Sequence, residues 1–147
     1  MQGIVSPDGA KNSTLIQLAA LSLVDDNFVK LRNIPPITDV LDTVEMLREI
    51  GYHVKYEQDE ITVSGRSSKC EFSYNYGSKI RSSLAFLGPM LSKHDYVKLP
   101  MPGDDKIGPR PIDIHVSILN AFGVEVLEED GFIIARKTRA LEGQQYT

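Results

Sequence analysis

An α/β (α+β) fold assembled from repeated βαβαββ units is what this sequence predicts, and two observations carry the prediction. The first is that the chain is written twice. "FVKL" at residues 28–31 returns as "YVKL" at 96–99, an offset of 68, and at that offset Ile16, Ala19 and Leu23 fall on Leu84, Leu87 and Leu91. "LREIGYHV" at 47–54 matches "LNAFGVEV" at 119–126, now at an offset of 72, so the second copy holds four extra residues between its anchors. The second observation is the pattern inside each copy, where apolar residues at helical spacing alternate with short runs bounded by turn residues.

The elements follow in order. Residues 3–6 open the first copy as a short strand. Residues 13–24 form a helix with Leu15, Leu18, Ala19 and Ser22 on one face and Asn12 or Ser13 as N-cap. Residues 28–34 form a strand that Pro35-Pro36 stops. Residues 38–50 form a second helix, striped by Val40, Leu41, Val44 and Leu47 and ended by Gly51. "HVKYE" and "ITVSG" pair across a turn at Gln58-Asp59. In the second copy the same reading gives an opening strand at 70–74, a helix at 78–92, a strand at 96–99, a helix at 112–122 and a hairpin around Asp130-Gly131. After Arg136 comes "KTRALEGQQYT", where a third opening strand is due. The units therefore run 3–67, 68–138 and a third starting at 139–147, a flexible tail being the alternative.

Composition narrows the classes of function. The chain has 147 residues, 41% hydrophobic and 24% charged, which fits one globular domain with a sizeable core. A net charge of −4 argues against nucleic acid as partner. The single Cys70 can make no internal disulfide, and no Cys-His cluster points to zinc, so neither metal nor cofactor is expected. The N-terminal "MQGIVSPDGAKN" has no basic region followed by an apolar run, and "TLIQLAALSLV" is shorter than the roughly 20 residues a bilayer span needs. The expectation is a cytoplasmic protein without a membrane partner.

Residues that carry chemistry gather at predicted helix starts. Lys11 and Asn12 precede the first helix; Lys79 and Arg81 open its counterpart, with Lys79 at the repeat position of Lys11. Helix N-termini attract anions, and a cation beside each strengthens that bias, although position alone leaves solvated surface cations equally open. Arg110 lies between Pro109 and Pro111 in "MPGDDKIGPRPIDIH", the stretch that carries the four extra residues. Flanking prolines stiffen the backbone, and a guanidinium suits bidentate recognition of phosphate or carboxylate. Pro111 and Asp113 are good helix-start chemistry in their own right, and His115 reads by default as a packed or surface histidine. No nucleophile elbow, phosphate-binding glycine loop or zinc-protease motif is present. Cys70, with only Lys69 as cationic neighbour, is not expected to be a nucleophile.

Taken together, "GAKNSTL", "LRNIPPITDVLDTVEMLREIGYHV", "SKIRSSLAFLGPMLS" and "MPGDDKIGPRPIDIHVSILNAFG" resemble the enolpyruvyl transferases, in particular the branch acting on UDP-N-acetylglucosamine. The resemblance covers nearly the whole chain. It implies the inside-out α/β fold of that family, two halves of three βαβαββ units each with the active site between them. Residues 1–147 would then be most of one half, and the missing second domain or a homo-oligomer partner would complete the site. The implied reaction moves the enolpyruvyl group of phosphoenolpyruvate to the sugar 3-hydroxyl and releases phosphate, in peptidoglycan precursor synthesis. By the same resemblance Lys11 and Asn12 contact both substrates, Arg81 and Arg110 hold phosphoenolpyruvate, and Pro111, Ile112, Asp113 and Ile114 line the uridine. Asp105 falls where most members carry the catalytic cysteine of a mobile loop and some carry aspartate, which implies a general acid; Lys11 and Arg110 join it in the catalytic set. Departures are the charged "GDDK" tip and Ala85 in place of a common tryptophan. They fit a relative with another uridine nucleotide as acceptor. A non-catalytic nucleotide-sugar-binding or assembly module of the same fold is the further alternative.

Overall fold

In the computed structural model of the chain, residues 4, 9–103, 112–143 and 145 are described. Helix α1 (Lys11–Ala20) runs into a 3₁₀ turn (Leu21–Leu23) and buries Leu15, Leu18 and Ala19. Strand β1 (Phe28–Leu31) is followed by α2 (Thr38–Glu49), then by the hairpin β2 (His53–Glu57) and β3 (Glu60–Ser64). The second half brings α3 (Tyr74–Gly77), a 3₁₀ helix (Arg81–Phe86), α4 (Leu87–Lys93) and β4 (Tyr96–Pro100). It closes with α5 (Asp113–Ala121) and the hairpin β5 (Val124–Glu129) and β6 (Phe132–Lys137). Two antiparallel three-stranded sheets result, ordered β1-β3-β2 and β4-β6-β5.

The register repeats the sequence offsets. Val29 faces Val63 in the first sheet, and Val97 faces Ala135 in the second, 68 positions on in one strand and 72 in the other. Val54 opposite Val63 likewise becomes Val126 opposite Ala135. The backbone punctuation matches too. Gly51 (φ 112°) ends α2 and Gly123 (φ 86°) ends α5, both in the left-handed region that glycine occupies without strain. After α2 the Gly51 N–H donates to the Arg48 carbonyl and the Tyr52 N–H to Leu47, each at 3.1 Å, so two terminal carbonyls are satisfied. Asp130 (φ 50°) and Gly131 (φ 78°) make the tight turn expected of Asp-Gly.

Four expectations are corrected. Helix α1 begins at Lys11 with Ala10 at the cap, so Asn12 and Ser13 lie inside its first turn, and among the described residues no side chain caps it. In α2 Leu41 is 46% exposed, while Thr43 and Met46 are buried beside Val40, Val44 and Leu47. Thr43 tolerates burial because its hydroxyl donates to the Asp39 carbonyl at 2.7 Å. The helix expected at 78–92 is broken into the 3₁₀ helix and α4. Pro89 has no N–H and its ring crowds the carbonyl four residues back, so it is disfavoured in a helix interior; α4 starts afresh at Leu87, which puts Pro89 in a first turn, where no N–H is needed. The opening strand at 70–74 shrinks to one parallel bridge, Glu71 to Lys98, held by two 2.9 Å backbone bonds. Its counterpart at 3–6 lies outside the described residues except Ile4.

Both halves contribute to one core, which includes Leu18, Val40, Leu47, Ile61, Phe86, Met90, Leu99 and Ile133. They are also tied by polar contacts. The Lys93 ammonium donates to the Val24 carbonyl (2.8 Å) and to Asp25 (2.7 Å), and Asp25 occupies the repeat position of Lys93. The Tyr52 hydroxyl sits 2.8 Å from the Ser22 carbonyl beneath them. Among the described residues no helix is long and apolar enough to cross a membrane.

Glu60 bridges β1 and β3 by accepting from Arg32 (2.7 Å) and Lys30 (3.0 Å). The Arg32 bond, then the Lys30 bond, hold its carboxyl below the usual carboxylate range. A lowered native pKa adds stability above the ordinary carboxylate pKa and loses it as pH falls through the native value. Urea midpoints of the wild type should therefore drop below a pH of about 4, and Glu60→Gln should show a shallower drop over the same range.

Candidate anion-binding cleft

The α1 start, the α2 start, the 3₁₀ helix and the α5 start converge on a cleft of about 580 Å³. Its walls carry Lys11 and Asn12 from α1, Asp39 from α2, Lys79, Arg81 and Ser82 from the second half, and His115 from α5. Leu15, Ile16, Leu84 and Ala85 supply the apolar floor. Among the described residues no side chain caps the α1 start, and its backbone N–H groups add positive potential there.

Electrostatics distinguish the three cations. Lys11 pairs with Asp39 at 2.5 Å, the two side chains being 52% and 35% exposed. Such an exposed pair is worth at most about 1 kcal/mol and opens easily. Lys79 lies 3.8 Å from Asp42 and 5.3 Å from the centre of the Tyr76 ring, so its ammonium already has internal partners. Arg81 is exposed and has no carboxylate partner among the described residues. Among the described residues the cleft thus combines one guanidinium without a carboxylate partner and one loosely held ammonium.

Of the residues singled out from sequence, the fold brings Lys11, Asn12 and Arg81 to this one cleft. Ile112 is buried in the core, while Asp113 and Ile114 are exposed on α5 and do not line the cleft. Asp105, Arg110 and Pro111 lie outside the described residues. Three cleft residues escaped the sequence reading. Ser82 and Asp39 look like ordinary helix-start residues. His115 stands at the repeat position of Thr43, which the 72-residue offset shows, but the 1% exposure of Thr43 that sets the histidine apart is visible only in the fold. Cys70 is outside the cleft, and burial, then Glu71, push its thiol above the usual range. Among the described residues no group of three metal-ligating side chains is poised for a metal.

The family model for EPSP synthase (3-phosphoshikimate 1-carboxyvinyltransferase) matches residues 1–146. The chain belongs to the EPSP synthase family. Among curated relatives, UDP-N-acetylglucosamine 1-carboxyvinyltransferase of Campylobacter fetus subsp. fetus is 34% identical over 142 residues, covering 96% of this chain and 34% of that protein. The protein of the same name from Chloroherpeton thalassium is 35% identical over 145 residues, covering 97% and 34%. This EPSP synthase family chain therefore spans about a third of the length of the curated relatives it matches. Among solved structures, the enolpyruvyl transferase NikO from Streptomyces tendae superposes with a TM-score of 0.79 at 23% identity, over 95% of this chain and 31% of that one. EPSP synthase from Acinetobacter baumannii gives 0.68 at 20% identity, over 98% and 34%. The α/β fold of repeated units is thus that of the enolpyruvyl transferases.

Proposed function

We propose that this chain supplies one half of the site of an enolpyruvyl transferase that moves the enolpyruvyl group of phosphoenolpyruvate to the 3-hydroxyl of UDP-N-acetylglucosamine. The observation that carries the reading is the convergence of Lys11, Asn12 and Arg81 on one cleft at the start of α1. The names of the relatives above give the reaction its acceptor. In that chemistry C3 of phosphoenolpyruvate takes a proton, the hydroxyl adds at C2, and phosphate leaves from the tetrahedral adduct. Charge sits on a phosphate and a carboxylate throughout, so fixed cations in a partly dry cleft are the main requirement. Arg81 and Lys11 meet it here, and Arg110 joins them by resemblance. Asp105 is the proposed acid and Pro111, Ile112, Asp113 and Ile114 the proposed uridine-side segment, again by resemblance.

The domain reading belongs to the same proposal, with units at 3–67 and 68–138 and a third beginning at 139–147. It is supported by Ile16 and Leu23, which are 55% and 50% exposed while their repeat equivalents Leu84 and Leu91 are buried. A further unit would cover them as α1 covers the 3₁₀ helix. The second half of the site would come from a further domain or a second copy.

A different uridine nucleotide as acceptor is the second reading, favoured by Ala85, which widens the cleft wall where the family resemblance expects tryptophan. The test is a thermal-shift titration with phosphoenolpyruvate and a panel of uridine nucleotides, alongside phosphate release. A rise in Tm with phosphoenolpyruvate that UDP-N-acetylglucosamine increases further supports the first reading. An increase only with another uridine nucleotide supports the second, and no rise with any of them refutes both.

A further inference from the structure

Asp39 has no role in the reading above, yet it is the group closest to Lys11 in the cleft. We infer that Asp39 is a positioning residue, an internal counter-ion that takes Lys11 back when the cleft is empty and so holds down the affinity for inorganic phosphate. The inference rests on reading the cleft as a phosphate site. Asp39 and Asp42 lie three apart on α2, so they share one helical face, and each tethers a lysine of the cleft, Lys11 and Lys79, which are themselves repeat equivalents. The first-turn position of Asp39 fixes its carboxylate at the helix start, where the dipole favours it. Lys11 must leave that carboxylate to meet a ligand anion, and it returns when the anion departs. Arg81, with no such partner among the described residues, makes the first contact.

The consequence is kinetic as well as thermodynamic. An enzyme that releases phosphate from a cationic cleft needs that phosphate to leave. Phosphate must compete with Asp39 for Lys11, and freeing the lysine from an exposed ion pair of this kind strengthens anion binding by up to about fivefold. Removing the carboxylate's charge therefore strengthens product binding as well as substrate binding.

The experiment is a titration of the 147-residue chain with inorganic phosphate, read by calorimetry and by Tm at constant ionic strength. Four proteins are compared: wild type, Asp39→Asn, Asp39→Asn in a Lys11→Met background, and Arg81→Met. The expected result is phosphate binding tighter by up to about fivefold in Asp39→Asn. That gain should vanish in the Lys11→Met background, which a merely structural effect on α2 would not produce. Unchanged or weaker binding in Asp39→Asn, or a gain that persists without Lys11, overturns the inference while leaving the cleft a phosphate site. If Arg81→Met binds phosphate like the wild type, the phosphate-site reading itself fails and takes the inference with it. Should Asp39→Asn lose its folded Tm, Asp39→Ser, which can still accept a bond from the first turn, answers the same question.

Discussion

Phe86→Ala should cost this fold about 3–5 kcal/mol, a large part of the 5–15 kcal/mol typical of a domain. Phe86 is fully buried and sits where the 3₁₀ helix hands over to α4. Its ring meets Phe72 at 5.2 Å between centroids with planes at 61°, an edge-to-face contact. Phe72 in turn donates its backbone N–H to the Lys98 carbonyl of β4. Truncation at Phe86 thus opens a cavity beside Phe72, which is pinned by a backbone bond that resists collapse into it. Urea unfolding at 25 °C, followed by circular dichroism, should show the midpoint falling steeply with the slope nearly unchanged. Phe28→Ala is the control: Phe28 is 66% exposed on β1, and its loss should stay within about 0.5 kcal/mol. Comparable effects at the two positions would mean that Phe86 is not in the core.

Much of this arrangement was legible before any coordinates. Gly51 and Gly123 mark the ends of equivalent helices, and the 68 and 72 offsets reappear as the register of both sheets. Those features are written locally, in turn chemistry and in the alternation of apolar residues. What stayed hidden depends on contacts distant in sequence. Nothing near Lys11 announces Asp39, 28 positions on, because their meeting is a product of how α1 packs against α2. The break at Leu87 was written in Gly88-Pro89, but the apolar stripe of the region outweighed it. Leu41 is the complementary case. It fits the helical period of α2, yet only the placement of α1 and α3 decides which side of a wide apolar arc is covered. Asn12, Lys11 and Arg81 were findable because helix starts are visible in sequence, and the cleft is made of helix starts.

That construction makes Arg81 the most consequential position for the proposed chemistry. In the complete protein, Arg81→Met should lower kcat/KM for phosphoenolpyruvate by about 10²–10³, the usual effect of deleting one fixed donor from a charge-stabilising site. Stability should hardly move, since Arg81 is exposed and pairs with no carboxylate among the described residues. Lysine at this position keeps the charge but loses the planar fork that can grip two oxygens at once, so Arg81→Lys should recover only part of the loss. Lys79→Met supplies the comparison. Lys79 is engaged with Asp42 and the Tyr76 ring, and its deletion should cost less than about tenfold, because an ammonium already turned to internal partners has less to give an incoming anion. The ordering Arg81→Met, Arg81→Lys, Lys79→Met, from most to least damaging, is the signature of a bidentate anion contact. Equal losses for the two methionine variants would point instead to a diffuse field of positive charge. In that case Arg81 would owe its importance to its charge alone, and its planar fork would carry no specificity.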